Sequence, residues 1–286
     1  MVVPKSLYLL SLLSYLEVAS AACTCGYRDS NGAVWREAIE ANFANNFNAA
    51  MSFFGAQDWG PVAHDNTTYL LKYDSANAYK TSGGLALKTN AYDQSQGTTG
   101  VVHSAELDSI RGDFLYGTFR VRARVPTVPG VCFGFFTYRQ TDDLKVYESD
   151  IELLTSDGNF KQTVHYTNQP GLVNGDTDPD AYREVTVSGA DFSTMTDHRF
   201  DWIPGNVKFY VNGAQTTNIA KNTPTVASQI LMNLWSDGGE GWTQGPPTAD
   251  AIAVVEYVNM YFNSTTMDEA AFKRQCNGNP TAVCNI

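Results

Sequence analysis

The chain has 286 residues, with 30 Asp and Glu against 19 Lys and Arg and a formal charge of −11. Without a basic run, that balance excludes a phosphate-binding face for nucleic acid and an anionic membrane surface as partner. Only 17% of residues are charged and 12% are aromatic, a composition that builds a core rather than a disordered chain, at a length one all-β domain can fill.

Residues 1–21 read as a secretory signal peptide. Lys5 supplies the positive start, Ser6 to Leu16 is apolar, and Ala19-Ser20-Ala21 fits the small-residue cleavage rule; a buried N-terminal helix is the plainer alternative. Nothing later reaches the ~18 apolar residues of a membrane span, so the expectation is a soluble, secreted, extracellular protein. Five cysteines follow, Cys23, Cys25, Cys132, Cys276 and Cys284, so at least one is unpaired. Cys132, in the apolar run VCFGFFTY, reads as a buried thiol. The other four are expected to bridge Cys23 and Cys25 to Cys276 and Cys284. A direct 23–25 bond is disfavoured because alternate side chains of an extended segment diverge, and a metal site there has no neighbouring His. Asn66-Thr67-Thr68 and Asn263-Ser264-Thr265 are glycosylation sequons.

The central chain alternates with a period of two. From Tyr116, YGTFRVRARV puts Phe119, Val121, Ala123 and Val125 on one face and Arg120, Arg122 and Arg124 on the other. Phe200 to Asn212 reads as two strands around Pro204-Gly205-Asn206, with Asn212-Gly213 marking the next hairpin. Ile252 to Phe262 is apolar enough for a sheet interior. Turn signals recur at Ser82-Gly83-Gly84, Pro129-Gly130, Asp157-Gly158-Asn159 and Asp237-Gly238-Gly239. One helix is expected, a short one after the capping box from Thr266 to Glu269. No repeat or linker interrupts the pattern, which predicts an all-β sandwich.

Within it, Tyr147 to Leu154 reads YESDIELL. On a strand, Glu148, Asp150 and Glu152 share one face, where like charges repel. Glu148 and Glu152 are then about 13 Å apart at their Cα atoms. Side chains leaning together bring the carboxyls to about 5–6 Å, near the separation of a retaining glycosidase's nucleophile and acid/base. Asp150 between them can hold the nucleophile by a hydrogen bond, and crowding favours retention of a proton. From the residues alone, a Ca²⁺ site and an ordinary acidic surface strand remain open.

At these residues the sequence resembles glycoside hydrolase family 16, whose strand motif is Glu-x-Asp-x-Glu. The likeness runs over roughly residues 35–263: TSGGLALKT, YGTFRVRARVP, the FFTY of Phe135 to Tyr138, ESDIE, the YTN of Tyr166 to Asn168, HRFDWIPGNVKFYVNG and the MNLW of Met232 to Trp235 follow in family order. It is most similar to secreted fungal members, and bacterial lichenases share FFTY, YTN and MNLW. The resemblance implies a β-jelly-roll of two antiparallel sheets with a glycan cleft across a concave face, and a retaining mechanism. Glu148 is then the nucleophile, Asp150 its assisting acid and Glu152 the general acid/base. Ser149 replaces the usual Ile, Leu or Val, a change that faces packing rather than chemistry. Val146 stands where lichenases often have Trp, and an Arg of the lichenase cleft is replaced near His103.

Motif matching and parity assign further cleft residues. Phe136 and Tyr138 share one strand face, Gln162, Tyr166 and Asn168 another, and Asn233 and Trp235 a third; His165 is expected to alternate out. Aromatic faces stack on sugar rings while amides and phenols bond hydroxyls. Trp242 fits either core or cleft.

The expected organisation is a signal peptide at 1–21, a catalytic β-sandwich at 22–265, and a short helix with a cysteine-containing tail at 266–286. The expected activity is hydrolysis of β-1,3 or mixed β-1,3/1,4 glucans by a monomer whose partner is a neutral β-glucan. No cofactor or catalytic metal is expected, though a structural Ca²⁺ is compatible with the sequence. A cell-wall transglycosylase with the same triplet is one alternative. A non-catalytic lectin is another, which the convergence of three acids opposes.

Overall fold

The alternating segments pair into two stacked sheets. The computed structural model describes residues 23–63, 67–276 and 282–286; the expected signal peptide and the Asn66 sequon lie outside the described residues. The outer sheet runs in the order Ala214–Ile219, Asn206–Val211, Thr196–Ile203, Phe114–Arg124, Ala251–Ser264, Gly84–Thr89 and Ala78–Thr81, with Glu37–Asn42 also on Ala251–Ser264. The second sheet runs Tyr182–Thr186, Thr163–Asn168, Val146–Leu154, Cys132–Gln140, Gln229–Trp235, Val101–Ser109, Leu70–Tyr73 and Trp59–Ala63, with Phe54–Ala56 on Val101–Ser109. The predicted hairpins and the interior strand therefore form, the last extended to 251–264.

Within the two stacked sheets, one pairing departs from the antiparallel expectation. Leu70–Tyr73 runs parallel to Val101–Ser104, because the chain between them crosses to the outer sheet to form Ala78–Thr81 and Gly84–Thr89 before returning. Parallel neighbours require such a crossover.

The inner faces meet in an aromatic core. Phe200 packs on Phe119 of its own sheet at 5.1 Å and on Phe135 of the facing sheet at 5.4 Å, and all three are fully buried. Each such side chain contributes about 1.5–3 kcal/mol through removal from water. Alternation along Phe114–Arg124 sends Phe119, Val121 and Ala123 inward, while Arg122 meets Asp197 and Glu256 on the outer surface.

The ends of the described chain are stapled together. Tyr27–Arg28 pairs with Val34–Trp35 and, in parallel, with Cys284–Asn285. Disulfides join Cys23 to Cys284 and Cys25 to Cys276, leaving buried Cys132 free. The C-terminal helix is Glu269–Cys276. Its cap is Asp268, whose Oδ1 accepts from Ala271 N at 2.9 Å; the expected capping residue, Thr266, donates its hydroxyl to Asp113 instead.

Candidate active site

Val146–Leu154 lies inside its sheet, between Cys132–Gln140 and Thr163–Asn168. Alternation therefore buries Ser149, Ile151 and Leu153 against the core, each no more than 1% exposed. Glu148, Asp150 and Glu152 face the other way and line a cleft of about 780 Å³. In the antiparallel ladder Glu148 lies opposite Tyr138, Asp150 opposite Phe136, and Glu152 opposite Gly134. Directly opposed residues share a face, so these positions line the cleft as well.

Burial governs the charge on the triplet. Asp150 is 3% exposed; desolvation, followed by the charges of Glu148 and Glu152, pushes its carboxyl well above the usual range. Glu148 is pushed up to about 7, first by burial and then by Glu152 and Glu106, against a hydrogen bond from Asp150 that favours its ionised form. Two negative charges so close and so dry are unfavourable, so the pair holds one proton, on the more buried Asp150. Gln169 Nε2 donates to Asp150 Oδ2 at 3.3 Å. Glu152 accepts at Oε1 from Trp242 Nε1 at 3.0 Å and from Cys132 Sγ at 3.4 Å. Cys132 is thus a buried free thiol as expected, but it lies beneath the cleft with Leu154 and Trp235 rather than in the inter-sheet core.

Four of the seven cleft assignments meet at this site. Phe136, Tyr138, Asn233 and Trp235 line the cleft with the acids. The other three do not. Tyr166 is fully buried between the sheets, stacked 4.3 Å from Phe209, with its hydroxyl accepting from Thr216 at 3.0 Å. Asn168 also turns inward and donates to the carbonyls of Ile219 and Lys221. Gln162 stands in the turn before the strand and accepts from Asn159 at 3.2 Å. The error is one residue of parity: Tyr166 pairs with Ile151 and Asn168 with Ser149, both core-facing, while Thr167 pairs with Asp150 and His165 with Glu152. His165 therefore belongs to the cleft side, where it bonds Tyr182 Oη and Asp157 Oδ2 and meets the Trp242 ring at 5.2 Å.

Several further residues line the cleft. Glu106 and Asp108 extend the acidic floor onto Val101–Ser109. Burial, reinforced by Asp108, raises Glu106 to about 7, and burial raises Asp108 to about 6. Asn233 Nδ2 donates to Glu106 at 3.1 Å and to Tyr73 Oη at 3.2 Å. Their signal was present in the sequence, since two acids at i and i+2 on a strand share a face just as the triplet does. His103, near which the lichenase Arg is replaced, lies on the opposite parity from Glu106 and bonds Asp74. Trp59, 43% exposed and edge-on to Tyr73 at 4.9 Å, offers an aromatic face at one end. Tyr182, Leu172 and Thr177 line the other. Among the described residues, no group of three or more His, Cys, Asp or Glu is arranged to hold a metal ion.

The chain has counterparts among known proteins. Residues 65–254 match the family described as Glycosyl hydrolases family 16. A beta-glucanase of Paenibacillus polymyxa is 32% identical over 130 residues, covering 44% of this chain and 51% of that protein. One of Bacillus subtilis strain 168 is 32% identical over 126 residues, covering 43% and 48%. The chain thus spans about half the length of these relatives. The fold extends further: the Bacillus licheniformis beta-glucanase structure superposes with a TM-score of 0.64 at 23% identity, covering 79% of this chain and 98% of that one.

Proposed function

The chain belongs to glycosyl hydrolases family 16, and from that premise we propose that it is a secreted endo-β-glucanase cleaving β-1,3 or mixed β-1,3/1,4 glucans with retention of configuration. The observation that carries this reading is the alignment of Glu148, Asp150 and Glu152 along one cleft face. A cleft lined by Trp235 and Phe136, with Trp59 at one side and Tyr182 at the other, suits a neutral polysaccharide laid along it. Two disulfides suit an oxidising compartment.

The family resemblance and the environments of the three acids support the following roles. Glu148 attacks the anomeric carbon while Glu152 gives its proton to the departing glycosidic oxygen, breaking the C–O bond and leaving a glycosyl ester on Glu148. Asp150, holding its proton toward Glu148, disperses the charge before attack and again when the ester breaks. Glu152, now ionised, takes a proton from water as that water's oxygen displaces Glu148. Laminarin, lichenan and barley glucan, digested by purified protein and analysed by mass spectrometry, test the reading. Endo-products with retained anomeric configuration are expected, and full activity in Glu148→Gln would overturn it.

A further inference from the structure

Trp242 reaches the cleft from an irregular segment that is tied down from within. The hydroxyls of Ser236 and Thr243 lie 3.1 Å apart, and Ser236 Oγ also accepts from Gly238 N at 3.1 Å. Asp237 Oδ1 accepts from Gly239 N at 3.0 Å and from the Thr243 hydroxyl. Ser156 Oγ donates to the Thr243 carbonyl at 3.0 Å. Ser236, Asp237 and Thr243 are each no more than 4% exposed. A buried, mutually bonded cluster of this kind is rigid, and it fixes the residue next to Trp242.

From that anchor the indole N–H points at Glu152 Oε1, 3.0 Å away. A second donor reaches the same atom from beneath. Cys132 is fully buried, and its Sγ lies 3.4 Å from Oε1. Burial and the charge of Glu152 push its thiol well up, so the sulfur keeps its proton and acts as donor. A carboxyl oxygen that already accepts two hydrogen bonds is a poor place for a proton.

We propose that Trp242 and Cys132 are positioning residues that reserve Oε1 of Glu152 as acceptor and thereby direct the transferable proton to Oε2. The proposal rests on the reading of Glu152 as acid/base. It treats that role as depending on two donors outside the acidic triplet, one on a pinned loop and one on the adjacent strand. Other titratable groups surround the carboxyl: Asp150 and Glu148 on its own strand, Cys132 on one neighbour, and His165 on the other with Tyr182 and Asp157 behind it. His165 engages those two through both ring nitrogens.

The test is the pH profile of kcat/KM on lichenan for the full chain and its variants, with Glu152→Gln as reference. Trp242→Phe keeps the ring and loses the donor. Because an N–H donated to a carboxylate favours its ionised form, the basic limb is expected to move up by about half to one pH unit, with turnover down about tenfold. Cys132→Ala is expected to shift the limb the same way, and Cys132→Ser, which restores a donor, to shift it back. A Trp242→Phe variant that loses the same factor at every pH, or a Cys132→Ser variant indistinguishable from Cys132→Ala, would overturn the positioning role while an inactive Glu152→Gln left the acid/base standing. Full turnover in Glu152→Gln would remove both.

Discussion

Gly134 stands directly between Glu152 and Asn233, opposite the first on one neighbouring strand and the second on the other. The room left by its absent side chain is taken by the Asn233 amide: a Cβ on residue 134 would come within 2.5 Å of Asn233 Oδ1. Asn233 cannot easily yield, since its Nδ2 holds both Tyr73 and Glu106. Gly134→Ala is therefore expected to displace the amide, loosen the floor beside the acid/base, and lower stability by about 1–3 kcal/mol. Steady-state kinetics with a thermal melt checks this; wild-type values in both would contradict it.

The proton shared by Glu148 and Asp150 gives the proposed reaction an acid limit. Glu148 must be ionised to attack, and it is pushed up to about 7, so kcat/KM on glucan should fall as pH drops through that value. Asp150→Ala removes the donated hydrogen bond that favours the ionised form, and should carry the acid limb to higher pH. Asp150→Asn, which keeps an N–H donor, should move it less. A pH–rate series on the three proteins decides the matter, and identical limbs would refute the assignment.

Stability should respond to acid through a group far from the cleft. His198 is 1% exposed and packs on Phe192 at 5.0 Å, and both its ring nitrogens lack hydrogen-bond partners. Burial lowers its pKa to about 4, below an ordinary value of 6.5. The unfolded chain thus binds a proton that the folded chain refuses. The resulting stability is complete above about pH 6.5 and is lost as pH falls toward 4, a contribution on the order of 3 kcal/mol. The raised acids Glu106, Asp108 and Glu148 work in the opposite sense, so the term is read by difference. Denaturant melts from pH 7 to 4 should show His198→Phe losing less stability than wild type; parallel curves would disprove it.

Tyr166 distinguishes a core tyrosine from a sugar ligand. Tyr166→Phe removes its bond with Thr216 while keeping the stack on Phe209. About 1 kcal/mol of stability should be lost, with KM for lichenan unchanged. A several-fold rise in KM at unchanged stability would return this residue to the cleft.

Tyr166 also lies where the sequence pattern loses its contrast. The faces of Phe114–Arg124 were legible because arginines alternate with Phe119, Val121 and Ala123, one set wet and one dry. Along Val146–Leu154 the acids themselves named the cleft face. Thr163–Asn168 offers no such contrast, since none of its residues is more than 5% exposed. Tyrosine, threonine, histidine and asparagine suit either side there, and only the ladder to Val146–Leu154 sets the parity. Gln169 and Trp242 lie in loops with no period at all, so their approach to Asp150 and Glu152 depends on contacts distant in the chain. The acids of Val101–Ser109 follow the same rule as the triplet, yet lie outside the family motifs that mark the cleft.

The two disulfides give the chain a covalent topology that its sheets do not reveal. With Cys23 bonded to Cys284, residues 23–284 form a closed circuit of main chain and one sulfur bridge, with Cys25–Cys276 doubling the seam. A single cut in an exposed turn, such as the one bearing Leu144, 75% exposed, would open that ring without dividing it. A nicked molecule would keep both halves of the sandwich tethered, and would separate into fragments only once the bridges were reduced.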